Sequence, residues 1–280
     1  MKKILLLAVL CSGYCFGQDL NFDTRFFDAV DKWVAFEKNG DQKEYGYGFI
    51  YIDEDAGFTF DYTSDFKITD EGFENIPREF QGMFKSRLTA NTANVHILTD
   101  KQIANLQLPA QPEWLEVYKR NENELSYLVK IGSSYNHVGA SINALKPLSQ
   151  VYAVNPHYEG VEFELAYAYN ATENYEKAFE VLTKAISKDP KNSLFCKELG
   201  FTLLGMGEIE KAEETYKKGI ALTKDNQQKS EMALNMTHSY FLLKNRAKFD
   251  EWEKITKKYM EKDSQFNQYL DYFKENWGKQ

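Results

Sequence analysis

Alanines at positions 144, 178 and 212 stand 34 residues apart, and four other series keep the same spacing. Pro156 and Pro190 form one, and Tyr135, Tyr169 and Leu203 another. Gly132, Ala166 and Gly200 form a third, preceded in turn by Ile131, Leu165 and Leu199; Leu148, Leu182 and Tyr216 complete the set. A lone amphipathic helix repeats near 3.6 residues and carries no memory of a longer period. Five series in one register therefore define a repeating structural unit, and such a chain folds by stacking its units.

The residue types say what the unit is. Small residues recur where two helices approach closely, and large apolar ones recur where space between units is filled. A buried side chain of that size contributes roughly 1.5–3 kcal/mol. Proline at 156 and 190 ends the second helix, because it cannot continue the backbone ladder and biases its predecessor away from helix. A single helix pair cannot cover its apolar face, so neighbouring pairs must cover it. These residues resemble the tetratricopeptide repeat family, in units at residues 125–158, 159–192 and 193–226. The departures are Leu128, Glu162 and Cys196 at the usual early bulky aromatic, Pro147 inside a second helix, and Lys224 in place of a third proline. Beyond 226 the register drifts. Segments 232–243 and 248–259 read as the helices of a degenerate fourth unit, residues 227–263. A last amphipathic helix, 264–277, has Phe266, Tyr269, Leu270, Phe273 and Trp277 on one face. One polar side suits it to close the open end of the stack, with partner docking as the alternative.

Residues 18–121 follow another pattern. A short helix is expected over 22–31, then strands at 32–37, 45–53, 58–62, 65–69, 83–89 and 94–98. Thr99 and Gln102 have capping-box spacing, and Pro112 opens a helix over 113–119. The expected fold class is α+β: a small, mostly antiparallel α+β domain, then an all-α solenoid over 122–280.

At the start, Lys2 and Lys3 precede an apolar run over 4–10, and Cys15-Phe16-Gly17 presents small residues where a signal peptidase reads. That run is far short of the ~20 residues a bilayer span needs. The order predicts a cleaved secretory signal, residues 1–17, with a buried N-terminal strand as the alternative. Leu10 before Cys11 and Tyr14 before Cys15 speak against a lipid anchor. Cleavage would leave Cys196 as the lone thiol, without an internal disulfide. It would also leave 32 Lys and Arg against 42 Asp and Glu, a net charge of −10. An acidic chain without a basic stripe repels phosphate backbones, which argues against nucleic acid and anionic membrane surfaces. A soluble chain exported to the periplasm or beyond is the expectation.

Signs of chemistry are weak. Asp53-Glu54-Asp55-Ala56-Gly57, with Asp61, suggests a calcium loop, but Phe58 and Ser64 stand where its glycine and bidentate glutamate belong; a tight hairpin turn explains the same residues. His96, His137, His157 and His238 lack zinc spacing, and Gly46-Tyr47-Gly48 is too short to cradle phosphate. Cys196 falls on a packing position. No catalytic residue, metal or cofactor is assigned, and the chain is read as a binding protein rather than an enzyme.

The resemblance implies that the first helix of each unit lines a concave groove. Inward-facing positions are then Ser126, Val129, Ser133 and Asn136; Gly160, Phe163, Tyr167 and Asn170; Leu194, Lys197, Phe201 and Leu204. Asn136 and Asn170, one repeat apart, are expected to present amides to an extended peptide, with Phe163, Tyr167 and Phe201 as apolar anchors. Equally, the asparagines could bridge helices. Lys197 stands alone, so the basic clamp of chaperone-binding members is not expected. A polypeptide partner is the first reading. An enzymatic or glycan-binding site in the N-terminal domain is the alternative.

Overall fold

The computed structural model describes residues 20–37, 40, 44–78 and 82–279. The expected signal, 1–17, lies outside them. No described helix is long and apolar enough to cross a membrane. The chain divides into two compact units: residues 1–51 with 59–115, and residues 52–58 with 116–280. The division after Leu115 comes earlier than the expected 121.

The first unit is built on an antiparallel sheet. Its strands are β1 (Lys32–Phe36), β2 (Glu44–Asp53), β3 (Gly57–Thr69), β4 (Gly72–Ile76), β5 (Phe84–Arg87) and β6 (Val95–Ile97). The order is β4-β3-β2-β1-β6, with β5 also on β3. Two strands expected at 58–62 and 65–69 are one, because β3 passes through Thr63 and Ser64 without a turn. Its first half pairs with β5 and its second with β4. The expected helix at 22–31 is only a 3-10 turn, Phe26–Asp28, since Thr24 exchanges backbone hydrogen bonds with Val95 at the sheet edge. The rings of Trp33, Phe49, Tyr51 and Trp114 pack edge to face. Gly48 is required by close approach: a Cβ there would enter the backbone of Asp61. Helix α1 (Asp100–Asn105) starts with the expected capping box of Thr99 and Gln102. Helix α2 (Leu115–Lys119) spans the division between units. His96 is a satisfied sheet residue: Nδ1 accepts from the Asn21 amide, so Nε2 donates to Gln102 Oε1 at 2.9 Å.

The second unit holds the solenoid: α3 (Leu125–His137), α4 (Ser141–Val154), α5 (Val161–Ala171), α6 (Tyr175–Lys188), α7 (Ser193–Gly205), α8 (Ile209–Leu222), α9 (Asn226–Leu242), α10 (Arg246–Tyr259) and α11 (Phe266–Glu275). Helix α4 runs through Pro147. Ala144, Ala178 and Ala212 occupy the same place in the first turn of their second helices, and all are fully buried. A Cβ at Gly132 would enter the Leu148 side chain, and one at Gly200 the Tyr216 ring. The first helices pack on one another in succession, while the second helices meet their like only marginally. The first-helix row is therefore the inner, concave side.

A further series at the repeat spacing appears at the turns. Gly139, Glu173 and Gly207 all have φ between 57 and 78°, and Lys244 closes the fourth pair at 55°. The next amide in each turn reaches back to Tyr135, Tyr169, Leu203 or Tyr240, a Schellman closure. Glycine adopts this left-handed backbone freely, whereas Glu173 and Lys244 do so at about 1–2 kcal/mol.

The fourth unit is less degenerate than expected. Helix α9 begins at Asn226 rather than 232, because Asp225 caps it by accepting from Gln227 and Gln228 amides. Its 17 residues make it longer than the earlier first helices, which displaces the register. Ala233 continues the small-residue series one position early, and Phe249 takes the place of the second-helix alanine; both are fully buried. In α11, Phe266, Leu270 and Phe273 are buried, but Tyr269, expected on that face, is 49% exposed. Cys196 is buried, which pushes its thiol pKa up.

Candidate functional site

Helices α3 and α5 enclose a recess of about 280 Å³, lined by Ser133, Asn136, His137, Phe163, Glu164 and Tyr167. Four of these, Ser133, Asn136, Phe163 and Tyr167, are expected groove residues. His137 and Glu164 are not. The recess is organised by Glu164: Ser133 Oγ donates to Oε1 at 2.8 Å, and Asn136 Nδ2 donates to Oε2 at 2.8 Å and to the Glu164 carbonyl at 2.9 Å.

The next unit repeats the device. Asn170 Nδ2 donates to Glu198 Oε2 at 3.1 Å and to its carbonyl at 3.3 Å. Asn136 and Asn170 are 5% and 4% exposed. The expectation that their amides face a peptide is therefore corrected: they bridge neighbouring units. The reason is geometric. Each asparagine meets the side chain and carbonyl of a glutamate on the next first helix, and together these accept both amide hydrogens. Burial pushes the Glu198 pKa up, while the Lys197 charge and the Asn170 amide hold it back.

One difference separates the two bridges. Thr202 Oγ1 donates to Asn170 Oδ1 at 2.8 Å, but Asn136 Oδ1 is buried without a hydrogen-bond partner among the described residues. Ala168 stands one repeat before Thr202 and brings no hydroxyl. Ala168→Ser is expected to supply that donor and to stabilise the fold by about 0.5–1.5 kcal/mol. The urea midpoint should rise in the wild-type background and not in Asn136→Ala; an unchanged or lower midpoint in the single variant would refute the assignment.

Along the same inner row, Tyr167 and Phe201 are 39% and 41% exposed. Lys197 is half-buried, its ammonium 3.1 Å from Glu231 Oε2 and 4.0 Å from Glu198 Oε1. Lys197, Asn170 and Phe201 do not line the recess itself. Farther along, Leu234, Asn235, His238, Gln268, Tyr269, Tyr272 and Phe273 line a more apolar recess of about 680 Å³. His238 stacks on Phe273 at 5.2 Å, and burial lowers its pKa.

In the first unit, Lys85 lies over the Tyr51 and Trp114 rings, 5.2 Å from each centroid, and donates to Tyr51 Oη at 2.9 Å. Burial raises the pKa of nearby Asp61, with Lys85 and Arg78 opposing. In the second, Asp53–Gly57 makes a hairpin turn, and Asp55 takes the Lys130 ammonium at 2.7 Å. No group of three or more metal-ligating side chains occurs among the described residues.

Residues 160–225 match the family of YpiA-like, C-terminal tetratricopeptide repeats. Within the solenoid, the repeats over residues 160–225 are of tetratricopeptide type. Solved structures with similar helical regions include TTC0263, a thermophilic TPR protein of Thermus thermophilus. It is 20% identical with a TM-score of 0.46, over 59% of this chain and 86% of that one. MamA (41-end) of Desulfovibrio magneticus RS-1 is 18% identical with a TM-score of 0.44, over 54% and 85%. Another MamA structure is 23% identical with a TM-score of 0.42, over 52% and 76%. No curated protein matches the sequence. The fold class is α+β, an antiparallel sheet followed by a tetratricopeptide-repeat solenoid.

Proposed function

We propose that the chain is an exported scaffold or adaptor that holds an extended polypeptide along its concave face, and that its work is binding rather than catalysis. One observation carries this reading: Tyr167 and Phe201, one repeat apart in the inner row, leave large rings 39% and 41% exposed. Rings held at repeat spacing offer anchors at regular intervals, and aromatic anchors dominate the energetics of polypeptide interfaces. Export rests on the charge, apolar and small-residue order of residues 1–17.

The burial of Asn170 changes which pair should be tested. Removing it would break the bridge to Glu198 and confuse folding with binding. Tyr167→Ala with Phe201→Ala is the cleaner pair. Capture of native partners from the exported fraction should fall, since truncation at a hot spot costs more than about 1 kcal/mol. The thermal midpoint should hardly move, because substitutions at exposed positions stay within about 0.5 kcal/mol. Undiminished capture would place the binding surface elsewhere.

A further inference from the structure

We propose that the recess between α3 and α5 receives a lysine or arginine side chain of the bound polypeptide, with Glu164 as its counter-ion; this rests on the polypeptide-groove reading above. The repeat supplies an internal control. Glu164 and Glu198 occupy the same position in successive units and are held by equivalent asparagines. In the third unit, the residue before the carboxylate is Lys197, whose ammonium lies 4.0 Å from Glu198 and 3.1 Å from Glu231. In the second unit that position is Phe163. Among the described residues no lysine or arginine forms an ion pair with Glu164. Lys130, the one lysine of α3, is engaged by Asp55 at 2.7 Å. One unit provides its own cation, and the preceding unit leaves that place to a ring.

The chemistry around Glu164 suits a cation from outside. Ser133 and Asn136 each occupy one direction at its two oxygens, and a carboxylate has about four acceptor sites. Phe163 and Tyr167 flank it, with ring centroids 6.5 Å apart and planes tilted by 33°. A cation held by the carboxylate and set over either ring gains from both. A volume of about 280 Å³ fits one long side chain. With Glu198 buried and Glu231 paired with Lys197, Glu164 is the carboxylate of this stretch left without a cation among the described residues, in a chain that carries −8 as a whole. Such a site favours basic segments and repels acidic ones.

The test uses the full chain and a random peptide display library. Lysine and arginine should be enriched in peptides selected on the wild type, and that enrichment should vanish on Glu164→Gln. An enriched peptide should bind about tenfold more tightly than the same peptide with glutamine for lysine, and added salt should narrow the gap. Phe163→Lys, which imports the third unit's own cation, should abolish the preference by neutralising Glu164 internally. It is also the second variant should Glu164→Gln fail to fold, as judged by its thermal midpoint. Selected peptides without a basic preference, or a preference that survives both substitutions, would overturn this proposal and leave the polypeptide groove standing. No enrichment over a bare surface would overturn both.

Discussion

Gly200→Val is expected to destabilise the solenoid by about 3 kcal/mol or more, and Gly200→Ala by less, in the same direction. Even the first added carbon clashes with the edge of the Tyr216 ring. That ring is fully buried between α7 and α8, and its hydroxyl accepts from Asn235 Nδ2 on α9 at 3.1 Å. Moving the ring aside therefore breaks a tie to the next unit, and nearest-neighbour coupling carries the damage onward. Overpacking costs typically about 1–3 kcal/mol. For alanine, about 1 kcal/mol returns through better helix propensity. Valine forfeits most of that return and adds two methyl groups to the clash. Gly132→Ala makes a useful comparison, because it meets Leu148, a flexible aliphatic chain, and should cost less. Urea midpoints for the three variants check the order. A midpoint for Gly200→Val equal to wild type would mean that the α7–α8 contact is looser than the structure shows.

The same contact explains why so much of the solenoid was legible in the sequence. A helix pair that closes on a glycine or alanine forbids larger residues there, so the constraint is written in residue type at fixed spacing. The turns are equally periodic, yet their series was hidden. Gly139 and Gly207 meet the left-handed requirement, but Glu173 and Lys244 meet it too, and neither residue type announces a turn. The asparagine bridges were invisible for another reason. Asn136 and Asn170 show their own spacing, but their partners Glu164 and Glu198 lie on the next unit, and only the stacking of units brings those positions together. Four residues that line the recess, Ser133, Asn136, Phe163 and Tyr167, thus stood at expected positions, whereas the carboxylate of Glu164 that organises it did not. In the first unit, β4 escaped notice because, between the ends Gly72 and Ile76, Phe73 is its single apolar residue. Strand β3 was split because Thr63 and Ser64 are small and polar, although Ser64 is buried and donates to the Ile76 carbonyl. Sheet pairing supplies the partners that local sequence does not reveal.

Acid should loosen the junction of the third and fourth units, through Glu213. Glu213 is 8% exposed, and its carboxylate joins three helices. Lys217 of α8 donates to Oε1 at 2.5 Å and Lys248 of α10 at 2.7 Å, while Oε2 accepts from the Tyr240 hydroxyl of α9. Burial alone would raise its pKa; the hydrogen bonds from Lys217, Lys248 and Tyr240 outweigh that and hold it at about 2, against an ordinary 4.5. A depressed folded pKa gives stability that is fully present above the unfolded value and lost as pH falls through the folded one. The loss should therefore run from about pH 4.5 down to about pH 2 and reach at most about 3 kcal/mol. Solvent screening reduces it, because the Lys217 and Lys248 side chains are 53% and 35% exposed. Glu253 is also lowered, by Lys257 and Lys274 against burial, so the acid limb will not vanish with one substitution. The informative quantity is the difference between wild type and Glu213→Gln. It should be largest near neutrality, shrink as pH falls toward about 2, where Glu213 is half protonated, and close below that, when both chains carry an uncharged group at 213. Thermal midpoints across that range measure it. A gap that stays constant with pH would show that the hydroxyl and ammonium contacts hold the junction by geometry, with the charge of Glu213 contributing nothing.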